Sequence, residues 1–338
     1  MVQLISDSLR AGHNQYAPMA GLPALRQMIA EVVTASYQRP TDAETEVTVT
    51  AGGTEALFST IAAFVDVGDE VIVFDPAYDC YDPAIRLNGG IPVHINLLPP
   101  YFQVDWQQVE SKITARTRAI IVNTPHNPTG AVLSAGDLAV LAELAQHHGL
   151  IVISDEVYER IIFDNKTHES VLRHEGLRNH AVAVYSFGKT FHATGWKIGY
   201  AVASPTLTKE IRKTHQFVTF SVNTPIQHAL AAYLVEPRHY LDLGAFYQSK
   251  RDYFLKLLRG SSFEPLPCHG SYFQLLSYKA VSNLADIEMA EWLTQKHKVA
   301  SIPVSVFYKD QTDRKLLRFC FAKKEETLER ACDILRQV

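Results

Sequence analysis

Short apolar runs alternate with amphipathic stretches through the first 240 residues. Runs at 46–50, 70–74, 93–97, 119–122, 150–154, 181–185 and 199–203 predict strands. Several, such as Ala119-Ile120-Ile121-Val122, are continuously apolar, the pattern of parallel strands covered on both faces. Helical spacing fills the gaps at 23–37, 55–64, 134–147 and 208–214. Ser134, with Asp137 three residues on, has the form of a capping arrangement. This alternation predicts an α/β fold: three layers, α/β/α, around a mostly parallel central sheet. Beyond about residue 240 the pattern becomes a long helix (239–258), a strand (271–277), a helix (286–296), a strand (316–321) and a last helix (325–337). We read this part as a smaller α+β domain and divide the chain into 1–240 and 241–338. A length of 338 residues favours two cores over one.

Composition narrows the function classes. The chain is 47% hydrophobic with net charge −4 and no basic stripe, which argues against nucleic acid as a partner. Cys80, Cys268, Cys320 and Cys332 form no metal-ligand spacing and read as reduced thiols. The first residues have no signal-peptide pattern, and no apolar run approaches the 20 or so residues of a membrane span. A cytoplasmic protein is expected.

Three predicted strands deliver reactive groups at their carboxyl ends, where α/β sheets gather ligands. The run 119–122 leads into Asn123-Thr124-Pro125-His126-Asn127-Pro128-Thr129-Gly130, 150–154 into Asp155-Glu156-Val157-Tyr158, and 181–185 into Ser186-Phe187-Gly188-Lys189. An amide, an acid, a phenol and an amine therefore share one edge. A pyridine-aldehyde cofactor has use for all four. Its aldehyde takes a lysine as a Schiff base. Its ring nitrogen stays protonated beside a buried acid such as Asp155. Its phenolic oxygen suits Tyr158 and Asn127. Its phosphate suits a helix start plus a cation, for which Gly52-Gly53-Thr54, Ser186 and Lys197 are candidates. The two glycines are no P-loop, since no Gly-Lys-Ser/Thr follows. No Gly-x-Gly-x-x-Gly opens a βαβ unit, which speaks against a nicotinamide dehydrogenase.

Asn127-Pro128-Thr129-Gly130, Asp155-x-x-Tyr158, Ser186-Phe187-Gly188-Lys189 and Thr194-Gly195-Trp196-Lys197-Ile198-Gly199-Tyr200 together resemble the class I/II aminotransferases, which are fold type I pyridoxal 5'-phosphate enzymes. The resemblance runs from Asn14-Gln15-Tyr16 to the last helix. It implies that Lys189 is the Schiff-base lysine and proton carrier, that Asp155 pairs with the ring nitrogen, and that Tyr158 and Asn127 bond the ring oxygen. It implies Gly53, Thr54, Ser186 and Lys197 around the phosphate, Tyr78 stacked on the ring, and Arg318 gripping the substrate carboxylate. Asn127 lies at both the cofactor and the substrate. Tyr16 matches a tyrosine that reaches a neighbouring subunit's phosphate, which implies a homodimer with shared sites. Lysine at 197, where arginine is commoner, is similar to the kynurenine and methionine aminotransferase branch. The implied substrates are an amino acid (methionine, aromatic or glutamine-like) and a 2-oxo acid. Phe220, Tyr78, Tyr272 and Phe307 are candidates for an apolar side-chain pocket. Only Met1–His13 precede Asn14, where the resemblance implies some forty to fifty residues more, including a substrate-mouth stretch. Two alternatives stand beside this reading: a cysteine-conjugate carbon–sulfur β-lyase on the same fold and lysine chemistry, and, given the short stretch before Asn14, a cofactor-binding dimer impaired in turnover.

Overall fold

The structure is a computed structural model describing residues 1–338. A seven-stranded sheet contains β1 (Val47–Thr50), β2 (Glu70–Asp75), β3 (Ile91–Asn96), β4 (Thr117–Asn123), β5 (Ile151–Asp155), β6 (Ala181–Ser186) and β7 (Gly199–Ala203), in the order β1-β7-β6-β5-β4-β2-β3. Strands β2 to β6 pair in parallel, and β7 runs antiparallel to both of its neighbours. The reversal has a functional consequence. The start of β7 sits at the edge where β1 and β6 end, with Gly199 opposite both Thr50 and Ser186.

The continuous apolar runs follow from burial on both faces. Ile120, Val122, Val152, Ala183 and Tyr185 enter one hydrophobic core, whereas Ala119, Ile121, Ile153, Val182 and Val184 enter another. Side chains alternate with the strand period, but water meets neither face. The capping box at Ser134 is present and starts helix Ala135–His148.

A second, antiparallel sheet follows: β8 (Glu264–Pro265), β9 (Phe273–Ser277), β10 (Ile302–Pro303) and β11 (Leu316–Cys320), in the order β10-β11-β9-β8. Its core joins Phe254, Leu276, Met289, Leu317 and Leu328 to Tyr158, Ile161 and Phe163 from the segment after β5. No helix is long and apolar enough to cross a membrane.

Several expected elements differ. The helix at 239–258 is two, Arg238–Leu241 and Leu243–Leu257. The strand expected from 271 begins at Phe273, because Ser271 has φ +66°, outside the strand region. The helix at 208–214 runs from Pro205 to Val218, with proline at the first helical position where its missing N–H costs nothing. Helices Val2–Arg10, Tyr81–Leu87 and Trp106–Lys112 are additional.

Candidate active site

A cavity of about 290 Å³ opens at the shared edge of β4, β5 and β6. Its floor is Asp155, the last residue of β5, 3% exposed. The Tyr81 hydroxyl donates to Asp155 Oδ2 at 2.7 Å, and the Val157 N–H donates to Oδ1 at 3.3 Å. Burial pushes the Asp155 carboxyl up to about 6, while those two bonds and the nearby Lys189 charge pull it back. Such an acid suits a cationic ring N–H.

Lys189 follows β6 in the short helix Phe187–Thr190. Its amine donates to the Tyr272 hydroxyl at 3.4 Å and lies 5.8 Å from the centre of the Tyr158 ring. Tyr158 is buried and meets Tyr272 edge to face at 5.1 Å. Desolvation keeps its phenol protonated, well above its ordinary range.

One end of the cavity is a cradle for an anion. Gly52 (φ +85°) turns the chain from β1 into helix Gly53–Phe64, whose first N–H groups have no helical partner. The Ser186 hydroxyl caps nothing, and Lys197 comes off a short turn with φ +52°. Lysine ion pairs occur only at Lys213, Lys309 and Lys315, so Lys197 has no carboxylate partner. A Cβ on Gly52 would meet Lys197 Cε and Nζ at 3.4 Å. A Cβ on Gly199 would lie 2.5 Å from the Tyr185 carbonyl and 2.8 Å from Gly52 C and Gly53 N. Only glycine there lets β7 bring this turn against β6. Along the wall, the Thr54 hydroxyl is 3.4 Å from that of Tyr78.

Arg318, on β11, reaches the opposite end. Its guanidinium donates to Asn127 Oδ1 at 2.7 Å and stacks on Phe273 (4.1 Å) and Phe307 (4.8 Å). No carboxylate of the chain pairs with it, which leaves its fork open to a substrate acid. Asn127 is set by Asn123, which accepts from the Asn127 N–H and donates to the Asp155 carbonyl, both at 2.7 Å. This donor set fits a pyridine ring with a phosphate on one side and a substrate carboxylate on the other.

The family model for aminotransferase class I and II matches residues 4–335. The chain belongs to the class I and II aminotransferases. Methionine aminotransferase of Escherichia coli is 54% identical over 99% of this chain and 87% of that protein. Human kynurenine–oxoglutarate transaminase 3 is 35% identical over 96% of this chain and 78% of that protein. Among solved structures, E. coli YbdL, identified as a methionine aminotransferase, superposes with TM-score 0.98 at 53% identity, covering 99% and 88% of the two chains. N-succinyldiaminopimelate aminotransferase of Mycobacterium tuberculosis superposes with TM-score 0.96 at 35% identity, over 99% and 88%. The protein is an aminotransferase of fold type I, and the family depends on pyridoxal phosphate.

Of the expected site residues, the aminotransferase cavity brings together Gly53, Thr54, Tyr78, Asn127, Asp155, Tyr158, Ser186, Lys189, Lys197 and Arg318. Tyr16 is elsewhere, 80% exposed and edge-on to Phe220 at 5.4 Å. Phe220 is also outside, whereas Phe307 lines the cavity. His126 faces a neighbouring cavity of about 620 Å³; burial holds its imidazole near 4, so it is neutral. Sequence reasoning assigned nothing to Tyr81, Asn123 or Phe273. Tyr81 stood three residues beyond Tyr78 and Asn123 four before Asn127, but only the fold shows which groups they bond.

Proposed function

We propose that this aminotransferase moves the amino group of a neutral amino acid, of the methionine, aromatic or glutamine type, to a 2-oxo acid. One observation carries the reading. A lysine amine, a buried acid and two cations without acid partners converge on one cavity whose substrate end is lined by Phe273 and Phe307. When bound, pyridoxal phosphate supplies an aldehyde for amines and a protonated ring that withdraws electrons from the substrate. Lys189 would hold the cofactor, and its free amine would carry the proton from and back to the substrate's α-carbon. Asp155 keeps the ring nitrogen protonated. Tyr158 and Asn127 would donate to the ring oxygen, and Tyr78 would pack against the ring. Gly53, Thr54, Ser186 and Lys197 would hold the phosphate. Arg318 fixes the substrate carboxylate, which orients the α-C–H bond toward Lys189. The cavity contains no second arginine for a side-chain carboxylate. The identity with the E. coli enzyme supports methionine as donor.

Tyr16 acts, in this reading, across a homodimer, since its exposed ring lies outside its own chain's cavity. The division at residue 240 is supported by the second sheet, which lies wholly within 264–320. Four free cysteines fit the reducing cytoplasm.

The test is spectroscopic. Methionine or phenylalanine should bleach the visible absorbance of the cofactor-loaded protein, and a 2-oxo acid should restore it. Release of ammonia in place of amino transfer would indicate a lyase. Retention of a reducible covalent cofactor adduct in Lys189→Ala would refute the lysine assignment.

A further inference from the structure

The loop between β2 and helix Tyr81–Leu87 carries Tyr78 and Asp79 into the cavity wall and leads to Tyr81, the partner of Asp155. An acid stands at each end of this loop: Asp75 closes β2, and Asp82 lies in the first turn of the helix. One imidazole joins them. His94, on β3, places Nδ1 2.9 Å from Asp75 Oδ1 and Nε2 2.9 Å from Asp82 Oδ2. The same two acids hold the segment ahead of β11. The Lys309 N–H donates to Asp75 Oδ2 at 2.8 Å, and Lys309 Nζ lies 3.8 Å from Asp82 Oδ2. Within the loop, the Ala77 N–H donates to the Phe307 carbonyl at 2.7 Å. Phe307 is one of the two rings against Arg318.

We propose that His94 is a positioning residue for the substrate site: by bridging Asp75 and Asp82 it holds the Tyr78 loop and the Phe307 segment at the spacing Arg318 needs, and it releases them when it loses its proton. The proposal rests on Arg318 as the substrate-carboxylate grip. A ring that faces a carboxylate from each nitrogen needs an N–H on both, so it must be an imidazolium. The neutral ring keeps one donor and turns a lone pair toward the other acid. Asp75 is 1% exposed, and His94 is the only cation paired with it. Asp82 is also held by Arg86, at 2.5 and 3.2 Å, and approached by Lys309. Asn96, on the same strand as His94, bonds Asp310 at the rim at 3.0 Å. Deprotonation therefore costs most at Asp75, which anchors the Lys309 backbone. Burial opposes the imidazolium, but the bonds to Asp75 and then Asp82 outweigh it and hold His94 above its ordinary value. The bridge is thus complete below that raised value and is lost as pH rises past it.

The test uses the cofactor-loaded enzyme with two readouts: KM and kcat for methionine, and calorimetric Kd for 4-(methylthio)butanoate, which has no amino group to react. Between pH 6 and 9.5, both KM and Kd of the wild type should rise about tenfold relative to His94→Arg, whose charge persists. His94→Gln should show the high-pH values already at pH 6, with kcat within about twofold. Asp82→Asn removes one of the two acids at a part-exposed position and should move the wild-type midpoint down, which keeps the test alive if arginine does not fit. Equal pH dependence of KM and Kd in the wild type, His94→Gln and Asp82→Asn would overturn the proposal. If the wild type fails to bind 4-(methylthio)butanoate at any pH, Arg318 is not the grip and the His94 proposal falls with it. Binding without a His94-dependent difference overturns the His94 proposal alone.

Discussion

Tyr81→Phe probes the floor of the site with a single oxygen. The ring is 3% exposed and meets Tyr78 edge to face at 5.7 Å, so phenylalanine fills the same space. What is lost is the 2.7 Å bond to the buried Asp155 carboxylate. A hydrogen bond to a charged group contributes about 1.5–3 kcal/mol, and about 1.4 kcal/mol corresponds to one pH unit. Tyr81 lowers the Asp155 carboxyl, which stands at about 6 with the bond in place. Without it, the carboxyl of the cofactor-free chain should rise to roughly 7.5. Cofactor binding needs the ionised acid, so a protonated Asp155 must first give up its proton. The ratio of variant to wild-type cofactor Kd should then be near one at pH 9, about fourfold at pH 7 and above roughly tenfold at pH 6. Comparing two proteins cancels the cofactor's own ionisation. Absorbance titration of pyridoxal phosphate into the cofactor-free proteins at the three pH values gives the ratio. A ratio near one at pH 6, or one that does not change with pH, would refute the role given to Tyr81 and the ionisation assigned to Asp155.

Arg318→Lys keeps the charge but loses the fork and its stacking on Phe273 and Phe307. KM for methionine should rise about 10- to 100-fold with a smaller change in kcat, measured by steady-state kinetics. Gly199→Ala should cost about 3 kcal/mol, because its methyl meets only backbone atoms at 2.5–2.8 Å. By calorimetry this is a fall in Tm of about 4 °C for a chain of this size, together with weaker cofactor binding. Gly136→Ala is the control, since a methyl there meets nothing nearer than Ser134 Oγ at 3.6 Å.

The sequence by itself determined the parallel sheet and named most of the residues that the fold gathers in one cavity. Strands buried on both faces must be apolar throughout, so 119–122, 150–154 and 181–185 stood out, and the polar residues after each run had to emerge at one edge. Asn127, Asp155, Tyr158 and Lys189 were legible for that reason. Arg318, Tyr78 and Lys197 were legible through the family resemblance. The tertiary structure alone decided the rest, because its causes are contacts between residues distant along the chain. The reversal of β7 is one such cause. It brings Gly199 against Gly52 and Gly53, nearly 150 positions away, and so packs the turn before helix Gly53–Phe64 against the end of β6. The Tyr81 bond to Asp155 and the stacking of Arg318 on Phe273 and Phe307 likewise follow from packing between elements. His94 reads as an unremarkable histidine on an outer strand. Its two acids become its partners only when β3 lies beside β2 and the helix after β2 folds back over both.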